Sequence, residues 1–142
     1  MVVNYCIMDW NYISGFFDAD GSISLVKKYS KGNANKTIQI SFHNTELTIL
    51  EEIRDFISSE IGVIGRISVK KPKKDNHSVS YDLKYVQHRG YVVSTYINSR
   101  HPKKIERIKI YKQIQELTPR NGKYTEEMLN QRNILVENFF IK

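Results

Sequence analysis

Over residues 10–20 apolar side chains recur at spacings of three and four; over 22–28 and 37–43 they alternate with polar ones. The first period predicts a helix and the second predicts strands. Asp9 stands where a helix N-cap belongs, and Gly21 where the helix should stop. In the second strand Ile38, Ile40 and Phe42 share one face, while Thr37, Gln39, Ser41 and His43 share the other. A turn over 30–35, rich in Ser, Gly and Asn, joins the two strands. A second helix opens at Asn44 or Thr45. It carries the stripe Leu47, Leu50, Ile53, Ile57 and Ile61, and closes at Gly62.

Two more strands follow, over 64–71 and 78–86, across a Lys-rich, Pro-containing turn at 72–77. In the later one Val79, Tyr81, Leu83 and Tyr85 alternate with Ser80, Asp82 and Lys84. A third helix is expected over about 89–98. A fourth begins at Pro102, with Ile105, Ile108, Tyr111, Ile114 and Leu117 along one side. Pro119 and Gly122 break the chain, and Thr125 caps a last helix reaching about residue 140. Met128, Leu129, Leu135, Val136, Phe139 and Phe140 form its apolar side.

This order gives an α+β fold in a single domain spanning 1–142: a four-stranded antiparallel sheet with helices on its apolar face. The other face stays open. It carries Ser22, Ser24, Lys28, Gln39, Ser41, His43, Arg66, Ser68, Lys70, Ser80 and Lys84. A polar sheet face is often merely solvated. This one also holds side chains suited to phosphates and base edges: Lys and Arg for phosphate or guanine, Gln for adenine.

Charge sharpens that expectation. The chain has 22 Lys and Arg against 15 Asp and Glu, a formal charge of +7. A polyanionic partner fits such a balance. The single cysteine, Cys6, excludes an internal disulfide and a thiolate metal cluster. An intracellular location with access to DNA is expected, with no signal peptide and no membrane span. His43, His77, His88 and His101 are too scattered for a zinc motif, and no phosphate-binding loop appears.

The first helix ends oddly. Asp18 and Asp20 lie at its C-terminus, where the dipole disfavours each by about 0.3–1 kcal/mol. A nearby cation would reverse that penalty. Gly15, in mid-helix, costs about 1 kcal/mol against Ala. Close approach of a second helix along Ser14, Gly15, Asp18 and Ala19 is a sufficient reason to keep it. An ordinary core helix ending in a polar turn is the alternative.

Residues 13–21, Ile-Ser-Gly-Phe-Phe-Asp-Ala-Asp-Gly, resemble the LAGLIDADG motif of the homing endonucleases. Gly15, Asp18, Asp20 and Gly21 are identical to it; Ser14 takes the Ala place and Phe16-Phe17 the Leu-Ile place. The resemblance implies an αββαββα core with a saddle-shaped sheet and a motif helix over about 10–21. It implies that Asp20 is the essential metal ligand, helped by the backbone carbonyl of Ala19, and that Asp18 is a cap. It places a water-positioning residue at Glu46, where some relatives carry Gln. It places a charge-offsetting lysine at Lys103 or Lys104, of which Lys103 is the preferred assignment.

With one motif per chain, the resemblance implies a homodimer paired through the motif helices. It would cut both strands of a long, near-palindromic duplex with metal-activated water, leaving short 3′ overhangs. The implied cofactor is Mg²⁺, for which Ca²⁺ or Mn²⁺ can substitute. Two other readings use the same fold: an intron RNA splicing cofactor (maturase), and a DNA-binding regulator that does not cut.

Overall fold

A computed structural model describes residues 8–27, 36–71, 78–117 and 123–141. The elements are α1 (Trp10–Asp20), β1 (Gly21–Lys27), β2 (Lys36–Asn44), α2 (Leu47–Ile61), β3 (Arg66–Lys70), β4 (Ser80–Val86), α3 (Gln87–Tyr96), α4 (Pro102–Glu116) and α5 (Glu126–Phe139). The four strands form one antiparallel sheet in the order β1-β2-β4-β3. The expected α+β architecture is therefore the observed one. Lys28 and the turns at 30–35 and 72–77 lie outside the described residues.

Helix α1 starts where its cap dictates: Asp9 Oδ1 accepts the Tyr12 N–H at 2.7 Å. It stops without a loop, Gly21 being both its C-cap and the first residue of β1. A Cβ on Gly21 would lie 2.7 Å from the Phe17 carbonyl oxygen, so only glycine fits this helix-to-strand joint. Helix α2 ends at Gly62 in the left-handed region (φ 68°), with its N–H on the Ser58 carbonyl. The α5 cap is Thr125, which accepts the Met128 N–H.

The core lies between the sheet and the helices. Ile23, Ile38, Ile40, Phe42, Leu83 and Tyr85 point from the sheet into Ile13, Phe17, Leu50, Ile53, Ile57 and Val93, all of them buried. Phe42 meets the rings of Phe16, Phe17 and Tyr85. Helix α4 crosses to α5 and to β1. There Arg107 donates to the Phe139 carbonyl, and Arg132 of α5 donates to the Lys36 carbonyl.

Three local expectations need correction. Helix α3 begins at Gln87, not 89, and ends before 97; Gln87 turns the chain straight out of β4 with φ 58°. Strand β3 is shorter than 64–71, and Ile64 beside it is exposed. Thr37 does not join the open face: it is buried with its hydroxyl on Tyr111 Oη, because α4 folds over that end of β2. Among the described residues no helix is long and apolar enough to cross a membrane.

Candidate functional site

The site begins at the C-terminal end of α1, where the two acids behave differently. Asp18 turns inward. It accepts hydrogen bonds from Ser99 Oγ and from the Arg100 backbone N–H, in the segment joining α3 to α4. Burial pushes its carboxyl upward. The bonds from Ser99 and Arg100, aided by the charges of Lys104 and His101, outweigh burial and hold it below its ordinary value. Ser14 is likewise turned inward and buried: its hydroxyl donates to the Trp10 carbonyl and accepts the Asn98 N–H. Ser14 and Asp18, both expected along the helix-pairing stripe, tie α1 to its own chain. The outward residues of that stripe are Gly15 and Ala19, both exposed.

Lys104 supplies the cation that the end of α1 lacks. Its Nζ donates to the carbonyls of Phe17 (2.7 Å) and Asp18 (2.9 Å) and lies over the Phe17 ring. Burial lowers its pKa, and the charges of Asp18 and Asp20 only partly counter this. A helix-end cation is thus present in the protein itself, so the dipole argument alone does not demand a metal. Lys103, the preferred of the two lysines, takes a different place. One residue along α4, it lines a groove with Glu106, Ile110, Leu135 and Asn138, facing α5. Lys104, not Lys103, reaches the motif helix.

Asp20 remains exposed, and among the described residues it has no hydrogen-bond partner. It lines an open depression of about 360 Å³ with His43, Asn44, Thr45, Lys70, Ser80 and Asp82. No cluster of three His, Cys, Asp or Glu side chains forms a ready metal cage among the described residues. A free carboxylate beside the exposed Ala19 is, however, a hard oxygen donor set. Mg²⁺ is commonly held by one or two carboxylates together with substrate phosphate and water. The residues fit such an ion. Glu46 is exposed at the N-cap of α2; its backbone N–H is accepted by Asn44 Oδ1, and its side chain makes no cap bond.

The polar face continues from this depression. Strand register sets Ser22 beside Ser41, Ser24 beside Gln39, Ser41 beside Lys84, and Lys84 beside Arg66. It sets His43 and Ser68 on either side of Asp82, and Lys70 beside Ser80. Ser22, His43, Arg66 and Lys70 are exposed; Ser24, Gln39, Ser68, Ser80 and Lys84 are half-buried. Ser41 differs: it is 4% exposed and shares a 2.6 Å hydrogen bond with Ser22, so Ser22 covers it.

Sequence reasoning named Lys104 as the alternative to Lys103 and did not single out Asp82, which the structure sets in the depression beside Asp20. Asp82 had a visible signal, being the one acid among the four described strands.

A model of the LAGLIDADG endonuclease family matches residues 13–125. No curated protein matches the chain. Among solved structures, the chain is similar to the I-SmaMI LAGLIDADG homing endonuclease bound to cleaved DNA, with 21% identity and a TM-score of 0.58. That match covers 92% of this chain and 42% of the other. It is similar to an archaeal intron-encoded homing endonuclease, I-Vdi141I, complexed with DNA: 17% identity, TM-score 0.51, 92% of this chain and 95% of that one. I-GzeII, a LAGLIDADG homing endonuclease in complex with its DNA target, matches at 11% identity and a TM-score of 0.61. There 99% of this chain covers 48% of the other, so this chain spans less than half the length of two of these three neighbours. At these identities the likeness is one of fold.

Proposed function

The chain belongs to the LAGLIDADG endonuclease family, and from that premise we propose that two copies of it cut a specific double-stranded DNA site by metal-assisted hydrolysis. The observation that carries this is Asp20, an exposed carboxylate with no hydrogen-bond partner among the described residues, where the motif helix meets the polar sheet face. Acids that serve only to cap a helix or a loop are hydrogen-bonded, as Asp18 is.

A divalent cation, Mg²⁺ in the first instance, would supply Lewis-acid neutralisation of the reacting phosphate and a more acidic water. Asp20 and the Ala19 carbonyl would hold it. Glu46, at the exposed junction of β2 and α2, would accept a hydrogen bond from the attacking water and orient it. Lys104 would keep the end of α1 rigid and add positive charge where the phosphate gains negative charge. Ser22, Ser24, Gln39, His43, Arg66, Lys70 and Lys84 would meet the bases and phosphates of half a site.

The case for two copies rests on Gly15. Among the described residues a Cβ there would meet nothing within 4 Å, so no packing among them explains a glycine in mid-helix. A second α1 laid against Gly15 and Ala19 explains it. It would also bring a second Asp20 to the same centre, completing the half-built donor set.

The test is binding and cleavage of duplex DNA selected from a random library. Affinity should fall by about 10³–10⁵ between 50 and 200 mM salt, as for a protein neutralising 6–10 phosphates. Cutting should require the metal. Selective binding of intron RNA in preference to duplex would support the splicing cofactor instead. Tight duplex binding with no cutting in any divalent metal would leave the regulator.

A further inference from the structure

An acid on a surface that meets DNA is unfavourable, because phosphate repels it at short range. Asp82 is nonetheless placed on β4, one of the two central strands, and it is the one acid in the four described strands. The lysines and arginines nearest it in register on that face are Lys84 on its own strand and Arg66 and Lys70 on β3. Among the described residues it forms an ion pair with none of them. Its Oδ1 lies 2.9 Å from His43 Nδ1, its cross-strand partner on β2. The Asp82 side chain is only 15% exposed, whereas His43 is 49% exposed. The acid is therefore tucked beneath and the imidazole stands outward.

A carboxylate only accepts hydrogen bonds, so the proton on this pair sits on Nδ1. With that proton on Nδ1, the other nitrogen, Nε2, is the one left to accept a hydrogen bond. Without Asp82 the ring is free to rotate and to change tautomer, offering a donor or an acceptor in no fixed direction.

We propose that Asp82 is a positioning residue for base recognition: it orients His43 and fixes Nε2 as an acceptor for an exocyclic amine, adenine N6 or cytosine N4, in the major groove. This rests on the duplex-DNA reading above. Because His43 and Asp82 line the same depression as Asp20, the base pair concerned lies toward the inner end of each half-site. Direct reading by Asp82 itself does not fit its burial.

The experiment is selection from a random duplex library by the full chain, with Ca²⁺ in place of Mg²⁺, followed by comparison of base preference position by position. The chains are wild type, His43→Ala, Asp82→Asn, Asp82→Ala and the double variant His43→Ala/Asp82→Asn. Two variants at Asp82 guard against one that does not fold. Expected is a loss of about tenfold in discrimination at the same base pair for His43→Ala and for each Asp82 variant, with other positions unchanged. The double variant should be no worse than His43→Ala. A uniform change at all positions, or none, would overturn the proposal while leaving DNA recognition intact. So would an Asp82→Asn loss that persists in the His43→Ala background. A library from which wild type enriches no sequence would overturn the duplex-DNA reading and this proposal together.

Discussion

Lys104 Nζ lies 2.7 Å from the carbonyl oxygen of Phe17, joining α4 to the last turn of a helix 87 residues earlier in the chain. A second bond, to the Asp18 carbonyl, makes the ammonium a two-point cap on the helix that carries Asp20. The position of the exposed acid therefore depends on a lysine that never touches it through a hydrogen bond.

That dependence separates the two adjacent lysines. Lys104→Met keeps the aliphatic stem but leaves two carbonyls without their donor. It should lower unfolding free energy by about 1–3 kcal/mol, the range for hydrogen bonds to a charged group. Lys103→Met should change stability by less than about 0.5 kcal/mol, as is usual for a surface substitution. Urea denaturation of both variants measures the difference. Cleavage rates should fall in the same order, more for Lys104→Met than for Lys103→Met.

Asp18 makes stability depend on acidity. Its folded pKa is lowered from 3.8, so the folded state favours the carboxylate. The stabilisation is then complete above the unfolded pKa and is lost as pH falls through the lower folded one. Wild type should lose stability on acidification below about pH 4, and Asp18→Asn should lose less over the same interval. Thermal melts from pH 6 to 2 on both chains check the slope.

Gly15 separates folding from association. None of the described residues crowds a Cβ there, and alanine favours helix over glycine by about 1 kcal/mol. Gly15→Ala should therefore raise the stability of the monomer. Gly15→Leu should weaken the dimer by about 1–3 kcal/mol through overpacking while the monomer still folds. Sedimentation velocity at several concentrations reads the association, and circular dichroism reads the fold.

Gly21 gives the opposite result. A Cβ would come within 2.7 Å of the Phe17 carbonyl and within 2.8 Å of its Cα, both backbone atoms. Gly21→Ala should destabilise the protein by about 1–3 kcal/mol, since the joint between α1 and β1 has no loop to absorb the shift. The melting temperature of that variant tests it.

The element order and the two faces of the sheet were legible because period and punctuation agree. Ile38, Ile40 and Phe42 alternate into the core, the Leu50, Ile53 and Ile57 stripe follows, and Gly62 ends the helix in a conformation glycine adopts freely. Asp20 and Gly15 stood out through the motif and through their cost in a helix, and both are exposed. Which of Lys103 and Lys104 reaches α1 was not legible, because adjacent residues point about 100° apart around a helix and the rotation of α4 is set by distant packing. The inward turn of Ser14 and Asp18 was hidden for a similar reason, their partners Asn98, Ser99 and Arg100 being more than 80 residues away. Periodicity put Thr37 and Ser41 on the open face, and it carries no information about what covers that face locally. Tyr111 buries one and Ser22 the other.

The central claim is that Asp20 holds the metal that drives hydrolysis, and one comparison tests it most directly. Wild type and Asp20→Asn are given the same library-selected duplex in Mg²⁺, and binding and cutting are measured in the same reaction. The variant should bind the duplex with unchanged sequence preference and cut neither strand. An Asp20→Asn chain that cuts at the wild-type rate would contradict it.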